Sequence, residues 1–234
     1  MMRESIRFLG PLRPLAKRAA GLFFPRYSWL LDRLNWEARL KATVKDFQSA
    51  VELRSREDLY QYLGDTLLDE GETAIDYFEF GVYRGASIQF WCSQNRNVAS
   101  RFFGFDSFKG LPEDWHSGKR KGAFSTDGQR PDIADPRVEF IGGWFQQSLR
   151  GFISSYRPLN PLVIHVDCDL YSSTLYCLTT LDPLIAPGTL IVLDDFFDAL
   201  HVYRALSDYC SGYMREYRLI ARTHQLGQAA IVML

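Results

Sequence analysis

The chain has 234 residues, 47% of them hydrophobic and 24% charged, with 27 Lys or Arg against 28 Asp or Glu and a net charge of −1. This balance belongs to a globular protein with its own core; it excludes disordered, collagen-like and disulfide-scaffold chains and speaks against a nucleic-acid partner. No apolar run approaches the roughly 18 residues needed to cross a bilayer. Cys92, Cys168, Cys177 and Cys210 form neither a C-x-x-C pair nor a zinc-like spacing, so reduced thiols in a cytoplasmic protein are expected.

Residues 1–45 hold ten Lys or Arg and three Asp or Glu, a local charge of +7 that leaves −8 on the rest. Pro11, Pro14, Lys17 and Arg18 interrupt the apolar stretch that a cleaved signal would need. Phe23, Phe24, Tyr27, Trp29 and Trp36 give the segment an apolar side. It reads as a helical arm or lid packed on its own domain, and is also compatible with docking on a second subunit or weak contact with a membrane surface. The organisation expected is an arm over 1–70 and one α/β domain over 71–234.

From residue 73 short apolar runs alternate with helical patterns, which is the signature of βαβ units and a parallel sheet. Strands are predicted at 74–80, 102–106, 138–141, 162–167 and 190–194, and helices at 86–93, 145–155, 174–184 and 200–210. A strand pair at 217–221 and 229–234 closes the sheet, and Pro187–Gly188 makes the turn into the fifth strand. The fold class is thus a Rossmann-like α/β domain with a mostly parallel seven-stranded sheet and a closing antiparallel hairpin.

Open parallel sheets bind ligands beyond the carboxyl ends of their strands, and here those ends are acidic: Glu79, Asp106, Asp167 with Asp169, and Asp194 with Asp195. An Asp at a strand end also caps helices, but caps require neither the Asp194–Asp195 doublet nor the Asp167-x-Asp169 pair.

The stretch from Glu79 to Gly85 reads E-x-G-x-x-x-G directly before a helix, with Ser87 in its first turn. Gly81 allows a tight turn close to a ligand and Gly85 a close helix start, yet the G-x-G-x-x-G dinucleotide fingerprint is missing. Asp106 stands 27 residues after Glu79, where doubly wound folds place an acid that accepts ribose hydroxyls. An acidic loop without a phosphate cradle suits an adenosyl ligand with cationic groups, S-adenosyl-L-methionine.

Carboxylates converging from two neighbouring strands repel one another unless a cation lies among them, and hard oxygen donors select Mg²⁺, Mn²⁺ or Ca²⁺ over zinc. Asp167, Asp194 and Asp195 are the expected ligands and Asp169 the proton acceptor for a metal-bound hydroxyl. Asp169 also reads as a cap of the next helix, His165 as a core histidine, and His201 as a supporting group or backup base.

The blocks FEFGVYRGAS at 78–87, FGFDSFKGLPEDW at 103–115, GGWFQQSL at 142–149, HVDCDLYSST at 165–174 and LIVLDDF at 190–196 resemble the macrocin O-methyltransferase family. That family comprises class I S-adenosylmethionine-dependent enzymes that methylate sugar hydroxyls of natural products. More distantly, the glycine loop and acidic pattern resemble catechol-type O-methyltransferases. The resemblance implies that Glu79, Gly81 and Gly85 line the methionine part of the cofactor, Asp106 holds the ribose, and Gly143 and Trp144 flank the adenine. It also implies Mg²⁺ on Asp167, Asp194 and Asp195, with Asp169 as general base. The chain departs from the family at Cys168, where glycine is common, and at 122–137, which is shorter and more polar than the family's helical segment.

The expected reaction is methyl transfer to a metal-activated hydroxyl, on a sugar of a glycoside or polysaccharide. The alternatives are a catechol-like phenol acceptor, with an aromatic slot near Tyr171, Trp115 or Phe196, and a non-catalytic binding protein. The partners expected are the small-molecule or glycan acceptor and further copies of the chain, and the loop from Ser107 to Pro136 is expected to act with the arm as a lid.

Overall fold

The computed structural model describes residues 44, 46–116, 118–196, 198–224 and 227–234. The basic arm therefore lies, up to residue 43, outside the described residues. From residue 45 onward the chain forms one unit.

Eight strands make one sheet: β1 (Val51–Leu53), β2 (Asp76–Phe80), β3 (Arg101–Asp106), β4 (Val138–Gly142), β5 (Leu162–Val166), β6 (Leu190–Asp194), β7 (Tyr217–Thr223) and β8 (Gln228–Met233). Their spatial order is β1-β7-β8-β6-β5-β2-β3-β4. Strand β8 runs antiparallel to β6 and β7, and all other neighbours are parallel. Among the described residues the α-helices are α1 (Arg56–Leu67), α2 (Ala86–Gln94), α3 (Phe145–Ser155), α4 (Tyr171–Leu181) and α5 (Val202–Tyr213). Seven strands stand where the apolar runs place them, and an eighth, β1, is added at the edge. Residues 51–67, on the arm side of the sequence boundary at 70, supply β1 and α1 to the same unit.

The central strand β2, sequence DYFEF, is buried at every position, as a parallel strand covered on both faces must be. Successive side chains alternate between faces. Phe78 and Phe80 join Phe103, Phe105, Phe152 and Tyr156 in an aromatic layer beneath α3, with ring centroids 5.4 Å apart for Phe78 and Phe103 and 5.0 Å for Phe105 and Phe152. Tyr77 and Glu79 face the opposite layer, where Leu59, Tyr60 and Leu63 of α1 and Ile88 and Trp91 of α2 are buried.

The register positions the site. Phe80 pairs with both Phe105 and Val166, and Val166 pairs with Leu193. Four adjacent strands thus stop at the same level, and the residues that follow, Gly81, Asp106, Asp167 and Asp194, emerge along one edge. The chain winds outward from β2 through β3 to β4 and returns on the other side of β2 as β5, which creates the crevice where such sheets hold ligands.

Candidate active site

A cavity of about 420 Å³ opens above this edge, within the range of small-molecule sites. Its walls include Gly81, Val82 and Ser87 of the glycine loop and α2, Asp106 after β3, Gly143 and Trp144 after β4, and the carboxylates Asp167, Asp169, Asp194 and Asp195. Glu79 and Gly85 stand behind the lining.

Gly81 has φ +93°, and a Cβ there would lie 1.8 Å from the carbonyl oxygen of Asp167, so the tight turn and the close approach of β2 to β5 both require glycine. Gly85, at φ +81°, starts α2 against Pro131.

Glu79 does not face the cavity: its side chain is fully buried beneath the sheet. It accepts hydrogen bonds from the Tyr77 hydroxyl at 2.6 Å and the Ser87 hydroxyl at 3.0 Å. With the Tyr77 proton used on Glu79, the Tyr77 oxygen accepts from His165 Nδ1 at 2.9 Å, which leaves Nε2 to accept from the Tyr60 hydroxyl at 3.3 Å. Every member of this chain of contacts has a partner. His165 is a satisfied core histidine, and Glu79 acts on the cavity through Ser87. The sequence places Glu79 in the cofactor lining; in the structure its side chain lies on the buried face that it shares with Tyr77, and the chain reaches the cavity at the turn that begins with Gly81.

Asp106 lines the cavity and also ties the loops together. One carboxylate oxygen accepts from the backbone N–H groups of Val82 and Tyr83 at 2.9 and 2.8 Å, and the other from that of Phe108 at 2.7 Å. Its backbone carbonyl accepts from Gly143 N–H at 3.0 Å, which links the β3 and β4 ends.

The four carboxylates act on one another electrostatically. Burial followed by the charge of the neighbouring Asp194 holds the Asp167 carboxyl well above the usual range. Burial pushes Asp169 up to about 6, and burial with the charges of Asp194 and Asp169 pushes Asp195 up to about 8. Asp169 and Asp195 both adopt left-handed backbone conformations, φ +59° and +48°, which turn their side chains toward the cavity.

A positive charge from the chain itself meets this cluster. The Arg56 guanidinium, on the first turn of α1, contacts Asp194 Oδ2 and lies 4.0 Å from Asp167 Oδ2. Gln228 at the start of β8 donates to Asp194 Oδ1. Among the described residues no three His, Cys, Asp or Glu side chains are arranged as a ready metal cage. Sequence reasoning missed both Arg56 and Gln228. Ser55-x-x-Asp58 signals the helix start, and both halves of that capping box form, but nothing local ties the helix to Asp194, 138 residues away.

The remaining expected groups lie nearby. His201 precedes α5, and its Nδ1 accepts from the backbone N–H of Tyr171 at 3.1 Å. Cys168 is buried between the two aspartates with Sγ 3.5 Å from the Thr174 hydroxyl, and all four cysteines are free thiols. Among the described residues the loop after β3 carries no helix. It folds over the cavity through a bridge between Lys109 and Ser125 and through Trp115 Nε1, which donates to Asp198 at 2.9 Å. Of the three aromatics expected for a phenol slot, Trp115 lines the cavity, Phe196 is buried in the core, and the Tyr171 hydroxyl donates to Asp208.

A Rossmann-like sheet with a closing antiparallel hairpin, a glycine turn after its central strand and acids at the next strand ends defines the class I methyltransferase architecture. The chain belongs to the methyltransferase-domain family, which it matches over residues 78–196. It is 34% identical over 175 residues to 8-demethyl-8-(2,3-dimethoxy-alpha-L-rhamnosyl)-tetracenomycin-C 4'-O-methyltransferase of Streptomyces olivaceus, covering 64% of this chain and 65% of that protein. It is 31% identical over 160 residues to demethyldecarbamoylnovobiocin O-methyltransferase of Streptomyces niveus, covering 57% and 59%. The chain thus spans less than two thirds of the length of either relative. The solved O-methyltransferase NovP superposes with a TM-score of 0.58 at 23% identity over 76% of this chain and 78% of its own, a likeness of fold. Among the described residues no helix is long and apolar enough to cross a membrane.

Proposed function

We propose that the chain is an S-adenosylmethionine-dependent, Mg²⁺-dependent O-methyltransferase acting on a sugar hydroxyl of a glycoside or polysaccharide. The observation that carries this reading is the placement of four carboxylates from β5 and β6 on the wall of the cavity that the glycine loop, Asp106 and Trp144 also line. The S. olivaceus relative is named for methylation of a rhamnosyl group, which supports a sugar acceptor.

The donor set fits a hard divalent ion, because Asp167, Asp194 and Asp195 offer only oxygen and carry like charges that need a cation or a proton between them. When bound, such an ion would lower the pKa of the acceptor hydroxyl. The chain's own contributions are position and proton transfer. Gly81, Ser87, Asp106 and Trp144 would hold the donor along the strand ends. Asp169, at the cavity wall, would take the hydroxyl proton as the acceptor oxygen attacks the methyl carbon and S-adenosylhomocysteine leaves. Trp115 and the loop it anchors would exclude water.

Released S-adenosylhomocysteine, measured against a panel of glycosides and catechols with and without Mg²⁺, tests the proposal. Turnover of a glycoside that stops in excess EDTA and falls at least about a hundredfold in Asp169→Asn is expected. Undiminished turnover in EDTA refutes the metal assignment, and preference for catechols refutes the acceptor class. Donor binding without turnover on any acceptor favours the non-catalytic reading.

A further inference from the structure

Arg56 lies outside the matched methyltransferase segment, yet it reaches into its most charged point. Its backbone is held firmly. Ser55 Oγ accepts from Asp58 N–H at 3.0 Å, the Asp58 carboxylate accepts from Ser55 N–H at 3.2 Å, and Leu59, Tyr60 and Leu63 anchor α1 in the core. From there the half-buried side chain extends along the cavity wall to Asp194 and Asp167, the ends of two different strands. Asp194 is otherwise satisfied as well: its Oδ1 accepts from Gln228 and from the backbone N–H of Asp195 at 3.2 Å. The oxygen that Arg56 covers is thus the one Asp194 would offer to an ion.

We propose that Arg56 is a tethered cation that occupies the carboxylate cluster before metal loading, and that a divalent ion enters by displacing it. The inference rests on the reading that Asp167, Asp194 and Asp195 hold Mg²⁺. Two facts make displacement necessary. A guanidinium and a divalent ion cannot share Asp194 Oδ2 and the neighbourhood of Asp167 without strong repulsion, and the helix that carries Arg56 is fixed, so only the side chain can swing away. The metal-free protein is thereby spared bare like charges at the β5 and β6 ends, and the ion binds more weakly than the same ligands would allow alone. Arg56 is a positioning residue, since it acts on the ligands and not on the reacting atoms.

The test uses the chelator-treated full chain, with Mg²⁺ titrated by calorimetry into wild type, Arg56→Gln and Arg56→Lys, alongside thermal melts with and without Mg²⁺. Arg56→Gln is expected to bind Mg²⁺ at least about tenfold more tightly than wild type. It should melt at a lower temperature without metal and recover most of that loss with it. Arg56→Lys, which keeps the charge but not the fork, should fall between the two, and carries the test if Arg56→Gln does not fold. Binding by the variants where wild type shows none supports the proposal equally. Mg²⁺ affinity that is unchanged or weaker in both variants overturns it while leaving the metal site in place. No Mg²⁺ binding by any of the three overturns the metal site and this inference with it.

Discussion

Gly81→Ala tests whether the crevice is built by close approach of two backbones. A methyl at this position would lie 1.8 Å from the carbonyl oxygen of Asp167 and 2.7 Å from its carbon, at a backbone φ of +93°. Gly188, in the turn before β6, has nearly the same φ, +91°, but nothing within 4 Å of its Cβ position, so it isolates the conformational cost. Gly188→Ala is expected to cost about 1–2 kcal/mol, the penalty of a left-handed L-residue. Gly81→Ala carries that cost and must also open the β2–β5 ends by more than an ångström, against hydrogen bonds from Gly81 N–H to Phe105 and from Asp167 N–H to Phe80, both at 2.9 Å. A total of about 4–5 kcal/mol follows, in the range reserved for severe backbone or core defects. Urea denaturation of both variants measures the difference, about 3 kcal/mol, or roughly 6–12 °C in Tm for a domain of this size. Equal destabilisation of the two within about 0.5 kcal/mol would refute the close-approach argument.

Other perturbations probe the supports of the site. Asp76 is buried, which alone would raise its pKa, but hydrogen bonds from Arg101, Tyr156, Leu159 N–H and Asn160 outweigh burial and hold it below the usual range. A lowered folded-state pKa adds stability above the unfolded value and loses it as pH falls through the folded one. Asp76→Asn should therefore cost about 2–4 kcal/mol at pH 7, and the gap from wild type should shrink below about pH 4, as urea midpoints across pH will show. Glu79→Leu strands the Tyr77 and Ser87 hydroxyls and should lower the ligand-free stability by about 2–4 kcal/mol; an unchanged melting temperature would contradict the buried role of Glu79. Trp115→Phe keeps the ring but loses the bond to Asp198, so acceptor KM should rise several-fold while S-adenosylhomocysteine affinity, measured by calorimetry, stays within about twofold.

Much of the architecture was readable from local pattern because strands buried on both faces are apolar throughout, and each such run ends where the sheet does. Residues 190–194 and 145–155 are predicted with the bounds they have, and the acids after β3, β5 and β6 reach the same edge because the register leaves their strands level. Other features depend on contacts that no window of sequence contains. Strand β1 is three residues long and largely exposed, so it has no alternation to read and exists only as the partner of β7. Glu79 reads as a ligand from its place beside Gly81, yet the pleat turns it toward Ser87 and His165. Asp106 reads as a ribose acid, yet it also receives three backbone N–H groups from loops that only folding brings to it. Composition and spacing determined the order of elements and the supply of carboxylates at their ends. The tertiary structure decided that those carboxylates meet on one cavity wall, and that Arg56, far away along the chain, brings a positive charge beside them; charge balance in a half-buried site depends on what is near in space.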